Sequence, residues 1–304
     1  MGKAQRLCEL RTSDELAAVH ERASSLVPEC MSLRQVTSHL MHGTFPEAAF
    51  RVYGSPAGNP RFFAIIEQNT YTHPFIHIPS PRGDYCEMEL LLTLCDFVLT
   101  EIAVLRKARR CLVFGERGMV NMMARVLGDK LPEFEPSNLN RPFHFFYMDD
   151  ESIRKCIEIK LEPPEGFVVD DLDWQRDCEQ VHASWENSTT PEATRARLRS
   201  LPGTCLREMD SGRLVSWCMC SPFGQVSNLY TVPEFRGRGL GSFIEAWHLQ
   251  KLCRLGMRPF KYVDKASEAA MRSTARVGFY RRWEREKEGS SQPVVHYFYE
   301  FNAD

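Results

Sequence analysis

The sequence predicts an α/β protein made of two similar halves, and three observations lead to this fold class. Segments with apolar residues at helical spacing alternate with short segments rich in β-branched and aromatic residues. The chain has 304 residues, about twice the length of a typical domain. Residues 161–166 supply two adjacent prolines between the halves. We therefore expect a mixed central sheet with flanking helices in each half, and domains over residues 1–162 and 163–304.

The first half predicts helices and strands in alternation. The long helix is the clearest of them, because Met88, Leu91, Leu92, Cys95 and Leu99 follow one face at helical spacing. In chain order the predicted elements are a helix over Arg6–Val27, strands at Phe50–Gly54 and Phe62–Gln68, the long helix over Glu87–Lys107, a strand at Cys111–Phe114, a helix over Val120–Leu127 and a strand at His144–Asp149.

The sequence of the second half predicts a pair of strands followed by two helix–strand repeats. A glycine at Gly278 is a good helix terminator, which fixes the end of the second helix. In chain order the elements are strands at Arg213–Cys220 and Val226–Val232, a helix over Ser242–Leu255, a strand at Phe260–Asp264, a helix over Ala266–Val277 and a closing strand at Val294–Phe301.

The segment Thr231–Gly241, TVPEFRGRGLG, is the most informative part of the chain. Arg236, Gly239 and Gly241 have the spacing R-x-x-G-x-G, and Gly237 adds a further glycine. Glycines allow backbone N–H groups to converge on one anion, and a helix N-terminus directly after them favours negative charge. The segment predicts a phosphate-binding turn. An ordinary surface turn is the alternative.

Composition and charge exclude several classes of partner. The net charge of −2 gives no electrostatic reason to expect nucleic acid or an anionic membrane as a partner. The longest apolar run, LLLTLCDFVL, is shorter than a membrane span and contains Asp96. The first residues lack the features of a secretory or transit peptide. We expect an intracellular protein, cytoplasmic or alternatively mitochondrial.

The histidines and cysteines do not predict a metal site. The 11 cysteines are scattered and odd in number, which favours reduced, mostly buried thiols over a disulfide framework. Cys218 and Cys220 alternate along a predicted strand without a second pair at zinc spacing. His73 and His77 lie on an extended, proline-flanked segment, where residues four apart are too far separated to share a metal readily.

The order of elements around the glycine turn resembles the GNAT superfamily of acyl-CoA-dependent N-acyltransferases. Within it, the segments TVPEFRGRGL, HLQKLCRLGMRPFKYVDKASEA and GFVVDDLDWQRDCEQVHASW resemble the glycine N-acyltransferase and glycine N-acyltransferase-like family. The similarity extends over about residues 166–283 and is weaker near residues 50–68. It implies a GNAT fold in the second half, preceded by a degenerate GNAT-like N-terminal domain without the R-x-x-G-x-G turn.

The resemblance implies that acyl-CoA is the co-substrate and that backbone groups hold it. The strand before the turn is expected to splay from its neighbour, with Ser267 where the family often has an asparagine that holds the cofactor arm. No metal is expected. The residues implied in cofactor binding are Leu229, Tyr230, Thr231, Val232, Arg236, Gly237, Arg238, Gly239, Leu240, Gly241 and Ser267.

The catalytic side chains depart from the family pattern. The family's glutamate base, six residues before the T-x-P-E-[YF]-R motif, is replaced by Gln225, whose amide cannot take a proton from an ammonium group. Thr274 stands where many GNAT enzymes have a tyrosine acid. Asp264 and Tyr230 are the candidate replacements, and the favoured alternative for Asp264 is a capping role at the following helix.

The resemblance therefore implies an acyl-CoA-dependent N-acyltransferase that acts on the amine of a small acceptor, such as glycine or another amino acid. A catalytically weak GNAT-fold protein that binds acyl-CoA and regulates or sequesters it is the alternative. Gln225 is the residue that separates these two hypotheses.

Overall fold

The computed structural model describes residues 7–79, 87–136, 141–186, 188–287 and 290–303. The chain forms two compact units. Unit 1 comprises Met1–Phe143 together with Val294–Asp304, and unit 2 comprises His144–Pro293.

Helices and strands alternate through both units, as the sequence predicts. The helices are α1 (Ser13–Ser25), α2 (Met31–His42), α3 (Glu87–Ala108), α4 (Arg117–Lys130), α5 (Asp150–Glu158), α6 (Cys178–Ala183), α7 (Pro191–Ser200), α8 (Leu240–Arg254) and α9 (Glu268–Val277). The strands are β1 (Cys8–Glu9), β2 (Arg51–Ser55), β3 (Phe62–Glu67), β4 (Phe75–Ile78), β5 (Arg110–Glu116), β6 (Phe134–Pro136), β7 (Arg141–Tyr147), β8 (Phe167–Asp170), β9 (Gly203–Glu208), β10 (Leu214–Cys220), β11 (Val226–Thr231), β12 (Phe260–Asp264), β13 (Arg281–Arg282), β14 (Glu284–Lys287), β15 (Ser290–Pro293) and β16 (Val295–Ala303).

Unit 1 is built on one mixed sheet in the order β1-β2-β3-β4-β5-β16, with β6 paired to β16. The β4–β5 pair is parallel, and the other pairs are antiparallel. Both faces of β3 are buried, as expected for a central strand covered on each side. Apolar residues of α3 and α4 pack with the sheet into one core.

Unit 2 contains a four-stranded antiparallel sheet in the order β11-β10-β9-β8. Strand β12 lies beside β7, to which the short β13 also pairs. Its core combines the four-stranded sheet with α6, α7 and α8. The buried Arg207 joins this unit's first elements, because its guanidinium pairs with Asp177 of the α6 start and with Asp170 of β8.

The two units repeat one order of elements. Unit 1 runs β1-α1-α2-β2-β3-β4-α3-β5-α4, and unit 2 runs β8-α6-α7-β9-β10-β11-α8-β12-α9. The second, degenerate copy inferred from the α/β alternation is therefore visible element by element. Helix α3 corresponds to α8, and the pair β4 and β5 corresponds to β11 and β12.

Two details of the predicted elements are wrong. The predicted helix over Arg6–Val27 is replaced by β1 and a shorter α1, which begins after Thr12 because Thr12 and Glu15 form a capping box. The strand expected to close the second half is present, but it is β16 of unit 1. It pairs with β5 from His296 to Asn302, and Phe301 is buried in the core of that unit.

The compact units thus differ in their limits from the predicted domains, 1–162 and 163–304. Residues 144–162 lie in unit 2, and the last strand lies in unit 1. Strand propensity identifies an extended segment without naming its partner, which is decided by cross-strand packing. The division into domains at residues 162 and 163 stays a prediction.

Candidate functional site

The strands β11 and β12 separate from each other in unit 2. Strand β11 is the outer strand of the four-stranded sheet, whereas β12 belongs to the strand group that contains β7. An outer strand presents alternate N–H and C=O groups sideways, where an extended ligand can bond them. The splay that the resemblance implies is therefore present, and among the strands of the described residues β11 has a hydrogen-bonded neighbour, β10, on one side only.

A β-bulge interrupts β11 at the centre of this edge. Ser227 opposes Met219 and Tyr230 opposes Trp217, so that Asn228 and Leu229 together face a single residue of β10. Asn228 has φ of +46°, in the left-handed region. A bulge leaves one residue outside the ladder and turns its backbone groups away. Asn228 and Leu229 thus interrupt the regular pairing of β11 with β10.

The predicted binding residues after Leu229 differ in how their polar groups are hydrogen-bonded within the protein. Val232 donates its N–H to the Val215 carbonyl at 2.9 Å, and its own carbonyl accepts the Phe235 N–H at 2.9 Å. Its main chain is therefore committed within the protein. The Thr231 hydroxyl lies 2.8 Å from the Ser216 hydroxyl, which holds the end of the strand against β10.

The glycine turn opens directly onto α8, as the sequence predicts. Gly237 and Gly239 have φ of +77° and +78°, and a Cβ atom at either position would meet no atom within 4 Å. Gly239 is the N-cap of α8 and makes no side-chain cap hydrogen bond. The N–H groups of Leu240 and Gly241 lie in the first turn, where a helix offers them no carbonyl partner. The turn is thus open, rich in N–H donors and favourable to an anion.

Gly241 has a different requirement from the other two glycines. A Cβ atom there would lie 3.1 Å from the Thr231 hydroxyl, a tight contact. This glycine lets the start of α8 approach the end of β11. The glycine spacing in the sequence therefore combines two open left-handed positions with one close packing contact.

The Arg236 side chain turns back onto β11. Its Nε donates to the Thr231 carbonyl at 2.9 Å, and its guanidinium lies 5.3 Å from the centre of the Tyr230 ring. Tyr230 in turn stacks on the buried Trp217 at 4.8 Å. Arg236 and Tyr230 are therefore held as a stack that fixes the strand end, which agrees with the expectation that backbone dominates anion binding here.

Arg238 lies on the other side of the turn. Its guanidinium is 5.2 Å from the Phe167 ring and 5.6 Å from the Phe235 ring. It borders a cleft of about 270 Å³ that is also lined by Glu208 and Asp210. These acidic neighbours make this cleft a poor place for a second phosphate.

The candidate catalytic residues are partly committed to the backbone. The Asp264 carboxylate accepts the Ala266 N–H at 2.8 Å, and Ser267 is the N-cap of α9 with its hydroxyl 3.3 Å from the Ala270 N–H. Asp264 thus shapes the turn before α9, while Ser267 itself caps the helix. Gln225 lies in the β10–β11 hairpin, where its carbonyl accepts the Ser221 N–H at 2.8 Å.

Thr274, at the position of the family's tyrosine acid, is buried in α9. Its hydroxyl donates to the Ala270 carbonyl at 2.7 Å. The Thr274 hydroxyl is therefore engaged in a hydrogen bond within its own helix.

Sequence reasoning missed Asn228 and Trp217. Asparagine is among the residue types that tolerate the left-handed region, so the Ser-Asn pair within a predicted strand was the available signal for the bulge. The position of Trp217 behind Tyr230 had no comparable signal, since it depends on the register of two strands.

In the ranges that the structure describes, no cluster of three or more His, Cys, Asp or Glu side chains is arranged to hold a metal ion. Within the same ranges, none of the helices combines the length and apolarity needed to cross a bilayer. None of the ten described cysteines forms a disulfide bond with another described residue, and eight of the ten are buried.

Comparison with known proteins gives matches in sequence to part of the chain. The family model described as FR47-like protein matches residues 203–287. Over 71 residues the chain is 34% identical to glycine N-phenylacetyltransferase of Bos taurus, a match that covers 23% of this chain and 24% of that protein. The chain thus matches about a quarter of the length of this curated relative. Its similarity to the glycine N-acyltransferase type, predicted above, is confirmed over that segment.

Solved structures match the whole chain. The X-ray structure of a Drosophila protein has a TM-score of 0.73 at 16% identity and covers 98% of both chains. A tandem GNAT protein from the clavulanic acid biosynthesis pathway has a TM-score of 0.57 at 10% identity, covering 98% of this chain and 99% of that one. At these identities the likeness concerns the fold. The chain has a tandem GNAT fold, which confirms the predicted fold class.

Proposed function

We propose that this chain is an acyl-CoA-dependent N-acyltransferase that transfers an acyl group to the amine of a small acceptor, with glycine or another amino acid as the favoured class. The observation that carries the proposal is the open glycine turn at the start of α8, directly after a bulged outer strand. The sequence similarity to a glycine N-phenylacetyltransferase supports the choice of acceptor class.

In this proposal the backbone of unit 2 holds the co-substrate. The first-turn N–H groups of Leu240 and Gly241, with the backbone of Gly237, Arg238 and Gly239, bind the pyrophosphate. The outer edge of β11 bonds the pantetheine arm, with Leu229, Tyr230 and Thr231 as the nearest residues. Val232 contributes through the fold alone, because its backbone groups are paired within the protein. Ser267 is expected to approach the arm from the start of α9.

Transfer requires stabilisation of the oxyanion that forms on the thioester carbonyl. The bulge at Asn228 gives the Leu229 backbone the freedom to point an N–H at that oxygen. One well-placed donor of this kind is typically worth about 3 kcal/mol of transition-state stabilisation. The amine nitrogen then forms the new C–N bond, the C–S bond breaks, and the proton lost by nitrogen passes to solvent or to a base.

The identity of the base distinguishes the proposal from its alternative. Gln225 cannot take a proton, and Asp264 already accepts the Ala266 N–H. These two observations favour slow turnover near neutral pH, and they are the reason to retain an acyl-CoA-binding regulatory protein as the second candidate. Asp264 keeps a second carboxylate oxygen that could accept from the amine, and Tyr230 stays the remaining candidate.

A free-thiol release assay tests the proposed function directly. The full chain is incubated with a panel of acyl-CoA esters, with and without each amino acid, and the release of CoA is followed. Release that depends on the amino acid, with the N-acyl product found by mass spectrometry, supports the enzyme. Saturable acyl-CoA binding without any product supports the regulatory alternative, and no binding at all would refute both.

The variant Gln225→Glu tests the missing base. If amine deprotonation limits the reaction, the rate of the unmodified chain should climb as pH approaches the pKa of the acceptor amine. A carboxylate at position 225 should raise the rate near pH 7 by up to about a hundredfold and flatten that climb. Gln225→Asn is the matched control, since it changes the side chain without adding a base. A flat pH profile in the unmodified chain would contradict this interpretation.

A further inference from the structure

Helix α3 of unit 1 has an exposed apolar stripe on its outer side. Met88, Leu92 and Leu99 have exposed fractions of 60%, 52% and 50%, and the small Ala103 is exposed as well. At about 100° per residue, these four positions lie within a sector of about 60° around the helix. Another side of α3 packs into the core of unit 1. The four residues, here called the α3 stripe, therefore form a second apolar face of the same helix.

The corresponding helix of unit 2 is covered far more completely. Every residue of α8 from Leu240 to Cys253 is buried or half-buried. Helix α5 packs against it, and the Gln250 side-chain amide donates to the carbonyl groups of Cys156 and Ile159 at 2.8 Å each. The fold thus accommodates a further helix against this element in unit 2, whereas the outer side of α3 is exposed.

The α3 stripe is complementary to its own reversed copy. Its four positions are symmetric about the midpoint between residues 95 and 96, because 88 and 103 are as far from it as each other, and so are 92 and 99. A second α3 running antiparallel about that midpoint places Met88 against Ala103 and Leu92 against Leu99. A large residue then opposes a small one at each end. In such a two-fold contact, one surface serves both partners.

The charges of α3 fit the same arrangement. The first turn contains Glu87 and Glu89, and the last turn contains Arg106 and Lys107. Antiparallel packing of two copies brings the acidic end of each helix beside the basic end of the other, whereas parallel packing brings like charges together. Charge complementarity therefore favours a second copy of this chain in the reversed orientation.

The acidic residues beside the stripe argue against an anionic membrane as its occupant. Glu87, Glu89 and Asp96 would be repelled by acidic lipid headgroups. Asp96 lies next to the midpoint of the stripe, and its carboxylate is turned to accept the Leu7 N–H at 3.4 Å. Asp96 thus borders the apolar stripe, and its charge is directed toward its own chain.

We propose that the α3 stripe is a homodimer interface, in which the α3 helices of two copies pack antiparallel about a two-fold axis near residues 95 and 96. A single pair of helices buries less than the roughly 800 Å² per partner of a standard interface, so we expect a weak dimer with a Kd of about 1–100 μM. The inference concerns a surface of unit 1 and holds whether or not unit 2 transfers an acyl group.

Sedimentation velocity of the full chain tests the association. The concentration is varied from about 1 to about 500 μM, a range that brackets the expected Kd. We expect a reversible equilibrium between the 35.1 kDa monomer and a species of twice that mass. A monomer throughout the range would overturn the proposal. If that monomer sediments with phosphatidylcholine vesicles, the occupant of the stripe is a lipid surface instead.

The variant Leu99→Glu tests the location of the interface. It places a carboxylate against Leu92 of the other copy, where dimer formation would remove it from water, so the Kd should rise at least about tenfold. Leu255→Glu is the matched control, because Leu255 is also an exposed leucine, at 60%, and lies outside α3. Both variants should keep the melting temperature of the unmodified chain. An unchanged Kd in Leu99→Glu, or equal weakening in both variants, would overturn the proposal.

Charge reversal tests the antiparallel orientation. Glu89 and Lys107 lie on the same flank of α3, about five full turns apart, so each approaches the other across an antiparallel pair. At low ionic strength, Glu89→Lys and Lys107→Glu should each raise the Kd about fivefold, and the double variant should restore it to within about twofold. Parallel packing would leave the like-charge contacts in place in each single variant. Single variants without effect, or a double variant without restoration, would overturn the antiparallel arrangement.

Discussion

The corresponding strand pairs of the two units have opposite arrangements. In unit 1, β4 and β5 pair in parallel over Phe75–Ile78, and a Cβ atom at Gly115 would lie only 3.0 Å from the Ile78 carbonyl oxygen. In unit 2, β11 and β12 lie in different strand groups. The same order of elements therefore closes the gap between these strands in one unit and opens it in the other.

Side chains reinforce the closed arrangement in unit 1. The Phe114 ring of β5 stacks on His77 of β4 at 5.5 Å and on His296 of β16 at 5.6 Å. His77 is further held by the Ser32 hydroxyl at 2.9 Å from its Nε2. One order of elements thus gives a paired strand couple in unit 1 and a separated couple in unit 2.

The largest expected effect comes from closing the glycine turn of unit 2. Gly239→Val places a β-branched residue at φ of +78° and covers the open side of the turn, so CoA affinity should fall by at least about a hundredfold. Gly256→Val is the matched control, because Gly256 has φ of +73° with equally open surroundings outside the turn. Isothermal calorimetry measures both.

Saturable binding that survives in Gly239→Val while the fold is intact would assign CoA to another site. That result would contradict the difference inferred between the units, since β4 of unit 1 is paired with β5 and the sequence of unit 1 has no R-x-x-G-x-G motif.

An intermediate effect is expected at the bulge. Asn228→Val disfavours the left-handed conformation at φ of +46°, at a cost of about 1–3 kcal/mol, and should return β11 toward the regular pairing seen in β4. We expect acyl-CoA affinity to fall about tenfold. Asn228→Gly, which adopts this conformation freely, should keep the affinity of the unmodified chain. Equal acyl-CoA affinities of the two variants would show that the bulge conformation does not contribute to acyl-CoA binding.

A further effect concerns stability toward acid, and both units should share it. Burial lowers the pKa of His77 in unit 1 and of His248 in unit 2 to about 3. His77 faces Ser32, Phe114 and His296, while His248 faces Thr204 and Cys220. In the unfolded chain each histidine binds a proton below about pH 6.5.

The folded state therefore holds fewer protons than the unfolded chain, and stability falls as pH decreases from about 6.5 toward 3. Each histidine should contribute about 1.4 kcal/mol of this loss for each pH unit. Urea unfolding at several pH values gives the free energy of unfolding as a function of pH. The slope of this free energy against pH should be smaller by the equivalent of about one proton in His77→Gln, and likewise in His248→Gln. A slope unchanged in one of them would show that its histidine takes up a proton in the folded state.

Much of the candidate site followed from local patterns. An anion-binding turn is predicted from two glycines, a helix start and an arginine at fixed spacing. Each of these features can be recognised from a residue and its neighbours in the sequence. The alternation of helix and strand patterns predicts two α/β halves for the same reason. Similarity in sequence then indicated which residues of unit 2 to compare with known acyltransferases.

The partners of strands and side chains could not be predicted in this way. The segment 294–301 reads as a strand from its β-branched and aromatic residues, but its place beside β5 depends on contacts with residues about 180 positions earlier in the chain. The pairing of Glu245 with Lys261 and Tyr280 likewise joins α8, β12 and the segment after α9. Each of these residues is unremarkable within its own segment.

Sequence alone was enough for most helices and strands, for the α/β alternation in both halves and for the glycine turn at Arg236–Gly241, since these depend on backbone conformation and residue type over a few positions. Tertiary structure alone decided that β4 and β5 pair while β11 and β12 separate, and that the last strand completes unit 1. The physical reason is that pairing and burial are set by groups distant in the chain, whose packing no local pattern encodes.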